Sequence, residues 1–194
     1  MRFRRVPAGA NAVAEIAFTA RSDGDFRVDR ADDDLRHHIF GGSWTWLQQV
    51  HGAGVAVVDH LGAKAGEEGD ASVTGLLNAV LVEGGIANTG GALVALGGGN
   101  PTAMIGPCIR PSSYEFGEAE LALVEASLGG PVSAVTATGT LALDLARAAT
   151  HALTAAGVGH VDDLGIDTAD DGYFSHRVRA DKGRQVTAVR MVAS

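Results

Sequence analysis

The chain has 194 residues, of which 46% are hydrophobic and 20% charged, with a formal net charge of −8 at pH 7. That length is sufficient for a single domain with a buried core, which we predict over residues 1–194. The negative net charge argues against nucleic acid or an anionic membrane as the main partner. No apolar run is long enough to span a bilayer. The single cysteine and the lack of a secretory signal pattern predict a cytoplasmic protein.

The first predicted elements are a strand over residues 13–19 and a short helix over residues 32–39, which has acidic residues in its first turn. Arg21 stands in the turn that follows the strand. Because α/β folds place chemistry at strand ends, Arg21 is a candidate for binding an anion, with a solvated surface arginine as the alternative.

His51 lies on a Gly-x-Gly turn between two predicted strands, residues 44–47 and 55–59. Gly52 and Gly54 allow a sharp turn and leave the imidazole uncovered by neighbouring side chains. Such a histidine is suited to bind a metal ion or to transfer a proton, and it is equally suited to cap a hairpin. The local residues do not separate these alternatives.

The remaining elements alternate between strands and helices. A short strand within residues 69–74 precedes an apolar, glycine-rich stretch, residues 75–96, whose leucine and valine spacing predicts two short helices. Further strands are predicted at residues 102–105, 160–166 and 185–192, and further helices at residues 118–128 and 141–156.

Cys108 follows the predicted strand at residues 102–105, between Pro107 and Ile109. A thiol at a strand exit can be a reactive nucleophile. The commoner state of a lone cysteine is a small buried apolar side chain. Asp167 occupies the corresponding position after the strand predicted at residues 160–166.

Six groups of short segments occur in a fixed order over nearly the whole chain. They are Ala17-Phe18-Thr19-Ala20-Arg21; Trp46-Leu47-Gln48-Gln49-Val50-His51-Gly52-Ala53; Gly69-Asp70-Ala71-Ser72-Val73-Thr74; Gly106-Pro107-Cys108-Ile109 with Tyr114-Glu115-Phe116-Gly117; Leu143-Asp144-Leu145; and Tyr173-Phe174-Ser175-His176-Arg177 with Gly183-Arg184. In this order they resemble the motifs of the YfiH family, also called the multicopper polyphenol oxidase or laccase-domain family.

The resemblance implies an α/β (α+β) fold in which mixed β-sheets are layered between helices. It also implies phosphorolysis of purine nucleosides, with adenosine deamination in the same pocket, rather than oxidation of phenols. The implied partners are therefore a purine nucleoside and phosphate. The implied cofactor is zinc, held by the histidine that matches His51, by a cysteine in an Asp-Cys pair and by a histidine that opens a His-Ala-Gly-Trp-Arg-Gly motif.

Two of these zinc ligands are missing, because the chain contains neither the Asp-Cys pair nor the His-Ala-Gly-Trp-Arg-Gly motif. Thr74 runs directly into Gly75, where the family has several dozen further residues, so we infer an excision that removed part of the central sheet. An incomplete sheet has an unpaired edge or a gap, which predicts either a homo-oligomer or low stability. Cys108, His176 and Asp167 are the side chains that would have to replace the missing ligands.

The resemblance assigns a catalytic role and metal binding to His51 and a catalytic role to Arg177. It assigns substrate binding to Arg21, Ser175, His176 and Tyr114, with the two arginines holding phosphate. Two other functions stay open. One is a hydrolase with Cys108 as nucleophile and His51 or His176 as base; the other is a non-catalytic family member that binds a nucleoside or a protein.

Overall fold

The computed structural model of the chain describes its residues except 9, 28–32, 49–54, 70, 75, 79, 84–90 and 95–101. Within the described residues the strands are β1 (Arg2–Pro7), β2 (Ala12–Phe18), β3 (Trp44–Trp46), β4 (Val55–Val57), β5 (Ala71–Val73), β6 (Val80–Glu83), β7 (Gly91–Val94), β8 (Thr102–Ile105), β9 (Ser133–Val135), β10 (Leu141–Leu143), β11 (His160–Asp163) and β12 (Thr187–Ala193). The helices are α1 (Asp33–Ile39), α2 (Glu118–Leu128), α3 (Leu145–Ala155) and α4 (His176–Arg179). The mixed α/β class predicted from the sequence is confirmed.

The largest sheet has five strands in the order β1-β2-β12-β6-β3. β12 is its central strand and pairs antiparallel with both β2 and β6, whereas β3 runs parallel to β6. The buried Thr19 links the end of β2 to the approach to β12, because its hydroxyl accepts from Val186 N (2.8 Å) and lies 3.2 Å from Val186 O. The N- and C-terminal parts of the chain therefore belong to one sheet.

A row of charges crosses three strands of this sheet. Glu15 on β2 lies in register with Arg5 on β1 and with Arg190 on β12. Arg190 donates to the Glu15 carboxylate at 2.6 Å, and Arg5 Nε lies 3.4 Å from it. Opposite charges on directly facing positions stabilise this pairing over a slipped register.

The chain divides into two compact units, and each has its own apolar core. The first comprises Met1–Ile86, Val94–Gly99 and Gly183–Ser194, and the second comprises Ala87–Leu93 and Asn100–Lys182. In the first core, Phe26 stacks on Trp44 with 6.3 Å between ring centroids. In the second, Leu121 of α2 packs with Val132, Leu143 and Ala148. The prediction of a single domain stays a prediction.

The second unit contains β8 and β11, which pair in parallel within a three-stranded sheet, and the antiparallel ribbon of β9 and β10. α3 begins after Asp144, whose carboxylate accepts from Arg147 N at 3.0 Å, as expected of an N-cap. α2 ends at Gly129, which has a φ of +67° and closes the helix in the left-handed conformation.

Several predicted elements are confirmed. α2 and β8 have the predicted bounds, and α1, β2, β5 and β12 lie within two residues or so of theirs at each end. No helix in the described part of the chain combines the length and the apolar character needed to cross a membrane.

The prediction of two helices over residues 75–96 is wrong. β6 and β7 lie in this stretch, and β6 is paired on both sides, by β12 and by β3. A short apolar run is compatible with a helix or with a buried strand, and here the pairing available on both edges favours the strand. The excision and the homo-oligomer inferred from the sequence stay predictions.

Two further corrections concern neighbouring elements. The strands on either side of His51 do not form a hairpin, because β3 pairs with β6 while β4 pairs in parallel with β5 in another sheet; residues 49–54 themselves lie outside the described residues. Residues 141–143 form β10 instead of the first turn of α3, since Asp144 caps the helix only from Leu145 onward.

Candidate functional site

The candidate site lies in the loops that follow β8 and β11. These parallel neighbours end in register, with Ile105 opposite Asp163, and a single further bridge pairs Cys108 with Asp167. The carboxyl ends of parallel strands meet at one edge of a sheet, which is where open α/β sheets bind ligands. Residues 106–116 and 164–181 therefore bring their polar groups to the same part of the second unit.

Arg110 and Asp163 form a two-pronged ion pair at this edge. The two guanidinium nitrogens lie 2.7 and 2.6 Å from the carboxylate oxygens, and Arg110 Nε donates to Ile166 O at 3.2 Å. The Arg110 side chain holds the pKa of Asp163 below its ordinary value, and Asp163 in turn raises the pKa of Arg110. Since this pair occupies both arms of the guanidinium, Arg110 serves to join the two loops.

The Asp167 carboxylate organises the next turn of the loop. It accepts from Ala169 N at 2.8 Å, from Arg110 N at 3.3 Å and from Ser112 Oγ at 3.3 Å. These bonds attach the turn Pro111–Ser113 to the loop after β11. Asp167 is therefore used within the protein to position the backbone that leads to Tyr114.

Cys108 is buried, with 2% of its surface exposed, in a small cluster with Ile105 and Ala146. Burial raises the pKa of its thiol to about 11, against the opposing charge of Arg110. The thiolate is the nucleophilic form of cysteine. A buried, protonated thiol is the opposite of what the cysteine–histidine hydrolase requires, so the geometry does not favour that function.

Arg177 on α4 is exposed and is held against the loop after β8. Its Nη2 donates to Glu115 O at 2.8 Å, and its guanidinium lies over the Tyr114 ring, 5.3 Å from the centroid. Tyr114 in turn contacts Phe116 edge to face at 5.6 Å, and both rings pack on the core of the second unit. Tyr114 and Arg177 are therefore a surface arginine and the aromatic support beneath it.

Ser175 and His176 precede Arg177 directly. Ser175 is buried, and its backbone N–H donates to Asp181 Oδ2 at 2.8 Å. His176 is the first residue of α4 and is exposed. Tyr114, Ser175, His176 and Arg177 thus form one cluster of the second unit, in which His176 and Arg177 are exposed and Ser175 is buried.

Besides these four residues, the sequence predicts three others, namely Cys108, Arg21 and His51. Cys108 lies in the same unit but in its interior. Arg21 belongs to the first unit, in the short 3-10 turn Arg21–Asp23. His51, the residue with the predicted catalytic and metal-binding roles, lies outside the described residues.

The described residues do not fit the zinc that the sequence resemblance implies. No group of three or more histidine, cysteine, aspartate or glutamate side chains in this part of the chain is placed to hold a metal ion. Catalytic zinc needs about three protein ligands. Of the residues proposed as replacements, Cys108 is a buried thiol and the Asp167 carboxylate is bonded to Ser112 and to backbone N–H groups.

Sequence reasoning missed four residues of this region, Arg110, Asp163, Arg179 and Asp181. Arg110 could have been identified, since it stands in the loop after a predicted strand, where chemistry concentrates, whereas Asp163 lies in the middle of the strand predicted at residues 160–166. Arg179 gave no such signal, because nothing in its sequence neighbourhood indicates that backbone carbonyls converge on it.

Comparison with known proteins adds a family and a fold. A family model described as "Multi-copper polyphenol oxidoreductase laccase" matches residues 86–192, more than half of the 194 residues; its name indicates copper as the metal of the family. The chain is similar to the crystal structure of the Neisseria meningitidis protein NMB0706, with 18% identity, a TM-score of 0.70 and coverage of 98% of this chain and 99% of that one.

The chain is also similar to the crystal structure of the Bacillus licheniformis hypothetical protein YfiH, with 15% identity, a TM-score of 0.73 and coverage of 97% of this chain and 98% of that one. At these identities the two structures establish the fold alone. No functionally curated protein matches the chain.

Proposed function

This chain belongs to the multicopper polyphenol oxidoreductase, or laccase-domain, family, and on that premise we propose that it is a cytoplasmic purine nucleoside phosphorylase whose phosphate is bound by Arg177. Adenosine, inosine and guanosine are the proposed substrates, with adenosine deamination as an accompanying activity. The activity is the one that the resemblance of the sequence motifs to this family implies. The observation that carries the proposal is the way in which Arg177 is held.

Arg177 combines exposure with a fixed position. A guanidinium has five N–H donors in a plane, a geometry that matches two oxygens of a phosphate. Among the described residues one of these donors is used, on Glu115 O, and the Tyr114 ring supports the group from beneath. A cation that is already ordered loses less entropy when it binds an anion.

The neighbouring arginines lack this combination. Arg110 is neutralised by Asp163, and Arg179 is surrounded by backbone carbonyls and Asp181. No carboxylate in the described part of the chain forms an ion pair with Arg177. Its charge is therefore the one in this cluster that remains to be balanced by a ligand.

In the proposed reaction a phosphate oxygen forms a bond to C1′ of the ribose while the bond between C1′ and the purine nitrogen breaks. The electron pair of that bond goes to the purine, which takes up the proton that phosphate gives up, and the products are the free base and ribose 1-phosphate. Arg177 would orient the phosphate and balance its charge. Tyr114 would keep the guanidinium in place.

His51 and zinc enter the proposal through the sequence resemblance. We assign no step to the metal, because the described residues do not fit it. Zinc content per chain, measured on protein purified without an affinity tag, tests this part separately: about one ion per chain would show that the chain builds a metal site that includes residues outside the described ranges.

The test of the proposal is release of the free base from adenosine, inosine or guanosine with and without phosphate. We expect Arg177→Gln to raise the KM for phosphate by about 10- to 100-fold, because charge-assisted hydrogen bonds to the anion are lost. The matched control is Arg147→Gln. Arg147 is also exposed in the second unit and also contacts a backbone carbonyl, Ser133 O, at 3.4 Å. The proposal fails if base release does not depend on phosphate, or if the two variants behave alike.

A second candidate is a domain that binds phosphate or a nucleoside without turnover. It is favoured by the lack of a metal-ligand group within the described ranges. Calorimetric titration separates the candidates: binding of phosphate that is weakened by Arg177→Gln, in protein that releases no base, would identify the binding domain.

A further inference from the structure

The guanidinium of Arg179 lies within a ring of backbone carbonyls. It donates to Thr168 O at 3.2 Å, Ala169 O at 2.5 Å, Asp170 O at 3.2 Å and Tyr173 O at 2.5 Å. All four carbonyls belong to the loop that follows β11. The loop is therefore folded around a cation that the protein itself supplies.

Asp181 connects this ring to the residues before Arg177. One oxygen of its carboxylate accepts from Arg179 Nε at 3.2 Å and from Ser175 N at 2.8 Å. Arg179 N also donates to Ser175 O at 3.0 Å. Arg179 thus fixes both the loop that leads to α4 and Ser175, the residue directly before α4.

Packing alone cannot order this segment. α4 has four residues, and none of them is buried. A single helical turn is unstable by itself in water, because its few hydrogen bonds do not offset the conformational entropy that is lost. The bonds made by the Arg179 side chain therefore help to hold the turn in place, together with the bonds from Arg177 to Glu115 O and from Ser175 N to Asp181.

We infer that Arg179 is a positioning residue, which keeps Arg177 over the Tyr114 ring by ordering residues 168–181. This inference rests on the proposed role of Arg177 in binding phosphate. Arginine is required because its planar fork reaches several carbonyls at once, whereas the lysine ammonium is a compact point charge with three donors.

The first measurement is hydrogen exchange at the backbone amides of Tyr173, Ser175 and Ala180 in the wild type and in Arg179→Ala, Arg179→Lys and the control Arg147→Ala. We expect exchange at least about ten-fold faster in Arg179→Ala, an intermediate effect in Arg179→Lys and no change in the control. Unchanged exchange in Arg179→Ala would overturn the inference.

The second measurement is chemical rescue. Methylguanidinium, at concentrations well below those that denature the protein, is expected to slow exchange again in Arg179→Ala, since it can occupy the vacated ring of carbonyls. It should have no effect on Arg147→Ala. Rescue of neither exchange nor phosphate binding would contradict a specific role of the guanidinium.

The third measurement is the kinetic division between KM and kcat. Arg179→Ala is expected to raise the KM for phosphate about ten-fold and to leave kcat at saturating phosphate within about three-fold, because the anion site is displaced and the reacting groups are retained. An equal loss in KM and kcat would indicate a general structural defect instead.

These outcomes separate the inference from the proposed function. If the wild type releases no base, the proposed function fails, whereas exchange and its rescue still decide the role of Arg179. If both Arg179 variants lose the native far-ultraviolet circular dichroism spectrum, Arg179 is required for the fold of the whole unit and the local role is wrong.

Discussion

The five-stranded sheet of the first unit and the loops of the second unit both hold arginines, but by different means. In the sheet, Arg5 and Arg190 face Glu15 across neighbouring strands, so carboxylate and cations lie in one row. In the loops, Arg110 is also paired with a carboxylate, but Arg179 is held mainly by backbone carbonyls and Arg177 by a carbonyl and an aromatic ring.

The difference reflects what each backbone leaves unpaired. Strand carbonyls are used in the ladder, so a charged side chain on a strand finds its partner in the facing side chain. Loop carbonyls have no ladder partner and accept from an arginine instead. A charge held by neutral groups is not cancelled, which is why we propose Arg177, and not the carboxylate-paired Arg110 or Arg179, as the cation that binds phosphate.

Substitution at Arg110 is expected to give the largest effect on stability and tests whether the loops depend on their ion pair. Arg110→Ala leaves the Asp163 carboxylate without its cation at a site where the arginine is 17% exposed. We expect the free energy of unfolding to fall by about 2 kcal/mol, since removing one partner of a partly buried ion pair leaves the other charge unpaired. Urea unfolding measures it.

The double variant Arg110→Ala with Asp163→Asn is the control for this experiment. It should recover part of the lost stability, because the unpaired carboxylate is removed as well. Single and double variants of equal stability would mean that the unpaired carboxylate does not cause the loss.

The pH dependence of the unfolding free energy tests whether the Cys108 thiol is buried beneath these loops. Its pKa is about 11 in the folded chain, against an ordinary value of 9.0. Between these values the unfolded chain releases the thiol proton and the folded chain retains it, so stability falls as pH rises. From pH ~8 to pH ~10 we expect a loss of about 1 kcal/mol from this group.

The comparison for that measurement is Cys108→Ala, which lacks the titrating group. The difference in unfolding free energy between the two proteins should change with pH by that amount, whereas groups common to both cancel. A difference that is independent of pH would mean that the folded thiol ionises normally.

Arg5 is expected to give the smallest effect and tests the sheet side of the comparison. Its side chain is 65% exposed, and Glu15 retains Arg190 as a partner when Arg5 is removed. Arg5→Ala should therefore change the unfolding free energy by less than about 0.5 kcal/mol. A loss as large as that of Arg110→Ala would show that the two regions hold their arginines equally tightly, and the contrast would not stand.

Much of the fold was predictable where a local signal is strong. α2 has acidic residues in its first turn and is followed by a glycine, and β8 is a short apolar run before Gly106-Pro107. The stretch around β6 was not predictable, because Val80 and the apolar residues after it suit a helix or a strand equally. The start of α3 was predicted four residues too early, at residue 141, although Asp144 is an N-cap residue directly before Leu145.

The sequence by itself determined the family, the mixed α/β class and the segment that contains Arg177. Motif order and apolar periodicity are properties of the chain alone, so they could be recognised without coordinates. The tertiary structure decided which arginine forms no ion pair with a described carboxylate and which is surrounded by carbonyls. Arg177 and Arg179 are two positions apart on one short helix, and their surroundings differ because Arg177 contacts the loop after β8, whereas the loop directly before the helix surrounds Arg179.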